Sequence, residues 1–157
     1  MNKIQIGGIL EVRGLTMIKV LGIPNQPGYG GKLLTMLGDA NINLQFVAES
    51  EDMSSRANLT LCIAATQTKL ALKLIENVKK NNGIGQINAT PNVTALTVYG
   101  PHFREKPAIC GRMCAALGNA KINILGISTS ISSICCLIDD QKYLAAKNAL
   151  LEVFKLP

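Results

Sequence analysis

The chain has 157 residues, enough for one domain or two small ones, and 48% of them are hydrophobic, enough for a real core. Its net charge is +6, but Lys79-Lys80 is the one adjacent basic pair and Trp is absent, which argues against a nucleic-acid-binding face of clustered cations and stacking aromatics. No apolar run approaches the roughly 20 residues that cross a bilayer, and the N-terminus lacks the apolar region of a signal peptide, so the sequence predicts a cytoplasmic protein with no membrane partner.

In chain order, Ile4 to Leu10 reads as a strand with a glycine kink, Glu11 to Gly14 as a turn, and Met17 to Leu21 as a strand with Ile18 and Val20 on one face. A Gly/Pro turn, Pro24 to Gly30, opens a helix from about Gly28 to Ala40 whose apolar stripe is Leu33, Met36, Leu37 and Ala40. Ile42 to Ala48 is the next strand, Glu49 to Arg56 a polar hairpin loop, and Asn58 to Ala64 a strand turning Leu59, Leu61 and Ile63 inward. A second helix, Thr66 to Lys80, presents Leu70, Leu74, Ile75 and Val78 to the core, and Asn81-Asn82-Gly83 stops it. With a strand at Ile84 to Ala89, the unit is β-α-β-β-α-β, a ferredoxin-like arrangement.

Thr90-Pro91-Asn92 marks a joint, after which the order repeats. A strand at Val93 to Tyr99 leads to a helix from Pro107 to Ala120 with the stripe Met113, Ala116, Leu117 and Ala120. Strands follow at Ile122 to Thr129 and Ile134 to Ile138, joined by the short turn Ser130 to Ser133, and Tyr143 to Phe154 is the last helix. The two copies align without a gap from Pro27 and Pro107. Pro27/Pro107, Gly31/Gly111, Leu37/Leu117, Gly38/Gly118, Ala40/Ala120, Ile42/Ile122 and Asn43/Asn123 are identical. The second copy leaves no room for a strand after its last helix, while the first has one to spare at its N-terminus. The economical fold is α+β, two ferredoxin-like domains with the first (16–90) inserted into the second (4–14 plus 91–157), so that no sheet edge is left bare.

No nucleophile–base set, metal cluster or nucleotide loop stands out. Lys32 in Gly28 to Lys32 is followed by Leu33, whereas a phosphate loop needs Ser or Thr there. His102, beside Pro101, reads as a solvated turn residue, and Asp139-Asp140 as a helix cap. The five cysteines, Cys62, Cys110, Cys114, Cys135 and Cys136, read as reduced, small hydrophobes. A metal or redox sensor using these thiols is the competing use. The Pro24 to Gly30 turn is the candidate site: bare backbone at a helix N-terminus leaves N–H donors and partial positive charge for a small anion such as a carboxylate.

The run Gly22-Ile23-Pro24-Asn25-Gln26-Pro27-Gly28, followed by Ala40-Asn41-Ile42-Asn43, resembles an ACT domain, a small-molecule-binding regulatory module. Together with Ile122-Asn123-Ile124, Ile127-Ser128-Thr129-Ser130 and the helix Ala145 to Phe154, it is more closely similar to the tandem ACT regulatory region of aspartate kinase, from Ile6 to Leu156. The resemblance implies a non-catalytic module without cofactor or metal. It would bind an aspartate-family end product, lysine and/or threonine, and feedback-inhibit a kinase domain held in cis or as a separate subunit. It implies an effector site made of Asn25, Gln26, Pro27, Gly28, Tyr29 and Gly30, with Asn43, Leu44, Gln45 and Glu49. Asn123, Ile124, Thr129 and Ser130 would face that site from the second copy of a partner chain in a side-by-side homodimer. Four positions depart from the family pattern: Asn25 stands for the usual Asp, Glu49 for Gln, Ile131 for Glu and Ala108 for Gly. The alternative is an ACT module that holds a dimer together and binds no effector.

Overall fold

The computed structural model describes residues 2–101 and 103–157, with Asn82 described through its backbone; His102 lies outside the described residues. The elements are β1 (Ile4–Gln5), β2 (Gly8–Ile23), α1 (Tyr29–Asp39), β3 (Phe46–Glu51), β4 (Ala57–Ala64), α2 (Thr68–Asn82) and β5 (Gln86–Tyr99). They continue with α3 (Ile109–Asn119), β6 (Gly126–Thr129), β7 (Ser133–Asp139), α4 (Tyr143–Val153) and β8 (Phe154–Lys155). The fold is mixed, with antiparallel strand pairs and helices. The chain divides into two compact units, a continuous one (Gly14–Pro91) and a split one that joins the residues up to Arg13 to Asn92–Pro157.

Two expected turns lie inside long strands. Glu11 to Gly14 runs within β2, and Thr90-Pro91-Asn92 within β5. Gly14 and Asn92 each take one left-handed residue's conformation (φ 68° and 57°), so the turn-prone residues bend a strand without ending it. A strand also follows the last helix, contrary to expectation: β8 pairs in parallel with β1, Ile4 opposite Phe154 and Gln5 opposite Lys155.

In the continuous unit the strand order is β3-β4-β2-β5. Ile18 and Val20 of β2, with Leu59, Leu61 and Ile63 of β4, share one buried cluster with Leu33 and Leu37 of α1 and Ala71 and Ile75 of α2. Leu70 is 45% exposed, because the inward stripe of α2 runs through Ala71 and Ile75 one turn apart, and Leu70 sits a third of a turn off it. β3 begins at Phe46, four residues later than the sequence suggests, and extends through Glu49 to Glu51. The delay has a local cause. Asn41 is left-handed (φ 58°), its N–H bonds Gly38 O at 2.9 Å, and Ile42 N–H reaches back to Leu37 O at 3.0 Å. This pair of bonds caps the C-terminus of α1, and buried Ile42 anchors it.

The split unit uses the order β2-β5-β7-β6. Its core gathers Leu96, Val98, Met113, Leu117, Cys136, Ala146, Leu150 and Phe154, with Ile6 from the N-terminal stretch. The cap recurs: Lys121 is left-handed (φ 59°) and Ile122 N–H bonds Leu117 O at 2.9 Å. Ala120, expected in the stripe, lies beyond the end of α3 and is exposed; the strand expected from Ile122 starts at Gly126. Asp139 caps the turn before α4 by accepting Gln141 N–H at 3.0 Å, whereas Asp140 pairs with Arg13 Nε at 2.8 Å and Nη2 at 3.1 Å. Arg13 also stacks 4.2 Å from the Tyr143 ring centroid.

The Arg13 guanidinium, and then the Thr94 hydroxyl, hold the Asp140 carboxyl below the ordinary carboxylate range. A carboxyl depressed in the folded state adds stability that is present above its unfolded value, about 3.9, and is lost as pH falls through the folded value. Urea unfolding of the parent chain should therefore lose stability below about pH 4 more steeply than unfolding of Asp140→Asn. Equal slopes would remove this pair from the acid response.

Candidate functional site

The route from β2 into α1 takes five residues, Pro24 to Gly28. Gln26 N–H bonds Pro24 O at 2.9 Å, and Tyr29 N–H bonds Gln26 O at 3.2 Å. Gly28 then enters the helix with φ 85° and ψ −7°, a left-handed step that an L side chain resists, and Gly28 O receives the Lys32 N–H at 3.0 Å. The amides of Gly30 and Gly31 stand in the first helical turn, where no intrahelical carbonyl is in reach. The Tyr29 amide is spent on the turn.

Over this turn lies a cavity of about 320 Å³ lined by Pro24, Asn25, Gln26, Pro27, Gly28, Gly30, Gly31, Glu49 and Ala57. Glu49 reaches it from β3 across the β3–β4 hairpin, opposite Leu59. A Cβ built on Gly30 would meet Glu49 Oε1 at 2.7 Å, so the bare glycine lets the carboxylate lie against the helix entrance. Backbone donors and a carboxylate thus face one small space. Complementary groups at the two ends of a zwitterion need this kind of arrangement, and the volume is at the lower end of small-molecule sites.

The structure brings together Asn25, Gln26, Pro27, Gly28, Gly30 and Glu49 from the expected set. Tyr29 turns to a separate groove with Lys32, Leu33 and Val78. Asn43, Leu44 and Gln45 precede β3; Gln45 N–H bonds Cys62 O at 2.8 Å, and three residues lie between Gln45 and Glu49. None of the three lines this cavity. Gly31 and Ala57 line it without having been singled out as site residues from the sequence; Ala57 is found only once β4 is registered opposite Ile23.

The split unit holds a second cavity, about 280 Å³, at the equivalent place. Thr129 and Ser130 line it with Phe103, Arg104, Lys106, Pro107, Ile109, Cys110, Ile131 and Ile134. Asn123 is exposed and Ile124 packs against that unit's core; neither lines this cavity. The backbone bonding repeats, Ile109 N–H to Lys106 O and Arg112 N–H to Ala108 O. The helix entrance differs: Ala108 has φ −79° where Gly28 has 85°. The first cavity has a carboxylate and the second two cations.

The cysteines are thiols without disulfides. Burial pushes Cys136 up to about 12, and it also raises Cys114 and Cys135. Such groups stay protonated and unreactive near neutrality. No group of three potential metal ligands forms among the described residues, and among them no helix is long and apolar enough to cross a membrane.

Residues 96–154 match the family model of the ACT domain. The chain is 28% identical over 151 residues to the aspartokinase of Mycolicibacterium smegmatis, covering 95% of this chain and 36% of that protein. Among solved structures it is similar to the regulatory subunit of aspartate kinase from Thermus thermophilus in its ligand-free form, with TM-score 0.86, 23% identity and coverage of 96% of this chain and 99% of that one. It also matches aspartate kinase from Synechocystis with TM-score 0.88 and 21% identity, over 98% of this chain and 27% of that one. The resemblance to aspartate kinase regulatory regions therefore holds along nearly the whole chain, and the fold is shared. The chain spans about a third of the length of the curated relatives it matches, and the kinase domain is not within these 157 residues.

Two glycine variants separate backbone from space at this site. Gly28→Ala has open room for its Cβ but a left-handed backbone, so it should lower stability by about 1–2 kcal/mol in urea unfolding. Gly30→Ala meets only the flexible end of Glu49, so stability should stay within about 0.5 kcal/mol while the carboxylate is displaced from the cavity. The reverse order would contradict this account of the entrance.

Proposed function

We propose that this chain, similar from end to end to aspartate kinase regulatory regions and matching the ACT domain over residues 96–154, is an amino-acid-sensing regulatory module of an aspartate kinase. On this reading the first ACT domain (16–90) is inserted into the second (4–14 plus 91–157). The effector is an aspartate-family end product, lysine and/or threonine. Its binding feeds back on a kinase domain, joined in cis or supplied as a separate subunit, through the linkage between effector and partner.

The observation that carries the proposal is the cavity over the α1 entrance, lined by the glycines of the first helical turn and by Glu49, whose carboxylate lies against Gly30. The α-carboxylate would take the amides of Gly28, Gly30 and Gly31. Glu49 would take an ammonium, either the α-amino group or the end of a cationic side chain. Glu49 supplies a negative charge that the neutral Asn25 does not. Asn123, Ile124, Thr129 and Ser130 would approach this loop from a second copy in a side-by-side homodimer.

Thermal unfolding against lysine, threonine, methionine and the other standard amino acids tests the proposal. A ligand at about 100 times its Kd stabilises by about 2.7 kcal/mol, which raises the Tm by a few degrees in a chain of this size. A selective shift with one or two amino acids is the expected result. No shift with any of them, from a chain that remains a dimer in light scattering, would overturn effector sensing in favour of a structural dimerisation module.

A further inference from the structure

We infer that Arg56, assisted by Asn58, is a positioning residue for the ligand loop, gripping the Gly22 peptide at the root of Pro24 to Gly31; this rests on the effector-site reading above. The need for a grip arises in the strand itself. The pairing of β2 with β4 is regular from Leu15 to Val20, then shifts before Ile23, and Gly22 in the gap is left-handed (φ 66°). A strand that leaves its ladder must find other partners for its polar groups.

Gly22 O accepts the Gly85 N–H at 3.2 Å, and side chains of the adjoining hairpin supply the rest. Gly22 N–H donates to Asn58 Oδ1 at 3.0 Å. Gly22 O accepts from Arg56 Nε at 2.9 Å and Nη2 at 2.6 Å. Arg56 Nη2 also reaches Gly83 O at 2.7 Å, on the left-handed residue that ends α2. Cationic donors are favoured at that negative end of a helix. The planar guanidinium is suited to spanning two carbonyls, which a single ammonium does less well. Arg56 is itself fixed: Asp52 Oδ1 accepts the N–H groups of Ser54 and Arg56 at 2.7 and 3.1 Å, and Arg56 O accepts Asp52 N–H at 2.7 Å. Loop root, hairpin turn and the end of α2 therefore move as one body. Arg56 does not line the cavity, so it acts through the loop.

The test combines hydrogen exchange with ligand titration on Arg56→Met, which keeps the aliphatic stem, and on Arg56→Lys. In Arg56→Met the hydrogen-bonded loop amides of Gln26 and Tyr29 should exchange about tenfold faster or more, with those of Leu59 to Ile63 unchanged. The Kd for whichever of L-lysine, L-threonine or L-methionine stabilises the parent should rise about tenfold, and Arg56→Lys should recover part of it. If Arg56→Met does not fold, Asn58→Ala serves in its place, with a smaller acceleration confined to the same loop. Unchanged loop exchange, or acceleration spread equally through Leu59 to Ile63, would overturn the positioning role. A parent chain that responds to no amino acid would overturn the effector reading alone, because loop exchange without ligand still decides the role of Arg56.

Discussion

Burial of one apolar stripe fixes where the entrance of α1 points, and the candidate site follows from that. Leu33 and Leu37 are almost wholly buried in a cluster with Ile18, Val20, Leu59 and Leu61. Each such leucine contributes about 1.5–3 kcal/mol by leaving water. The helix is only 11 residues long, too short to be stable alone, so this packing and not intrinsic propensity holds it. The capping bond from Ile42 to Leu37 closes its far end, and the left-handed Gly28 sets its near end. With both ends fixed, the glycines of the first turn line the cavity that Glu49 also enters.

The two copies of the unit keep this scaffold and differ in what they place around it. Core residues, helix caps and turn bonds recur about eighty residues apart. The groups that would meet a ligand do not: Gly28 becomes Ala108, Gly30 becomes Cys110, and Glu49 becomes Thr129. A carboxylate-bearing cavity and a cation-bearing one result. Packing constrains the interior positions to similar volume, whereas a helix entrance tolerates any residue whose backbone fits. Divergence at the entrances is consistent with the proposed asymmetric roles, one copy presenting the effector loop and the other facing a partner chain.

Most of the fold was legible because it is written in periodicity. The stripes of α1 and α3, the alternation of Leu59, Leu61 and Ile63, and the repeat itself need no tertiary information. The strands through Glu11 to Gly14 and through Thr90 to Asn92 were not legible, because Gly, Pro and Asn signal a turn locally, and only pairing along the strand overrides it. The loop residues from Asn25 to Gly30 and Glu49 were found by resemblance, and the structure gathers most of them. The resemblance also implies Asn43 to Gln45, which precede β3 and do not line that cavity. Arg56 carries no sequence signal at all: its partners are carbonyls, and a backbone acceptor leaves no trace in side-chain identity.

The central claim is that the cavity bounded by Gly28, Gly30, Gly31 and Glu49 receives an amino acid. Amide chemical-shift mapping of the labelled chain, titrated with L-lysine and with L-threonine, tests it most directly. Saturable shifts centred on Gly28, Gly30, Gly31 and Glu49 are the predicted result, weakened when Glu49 is replaced by alanine. Shifts centred elsewhere, or none at millimolar ligand with the chain folded, would contradict it.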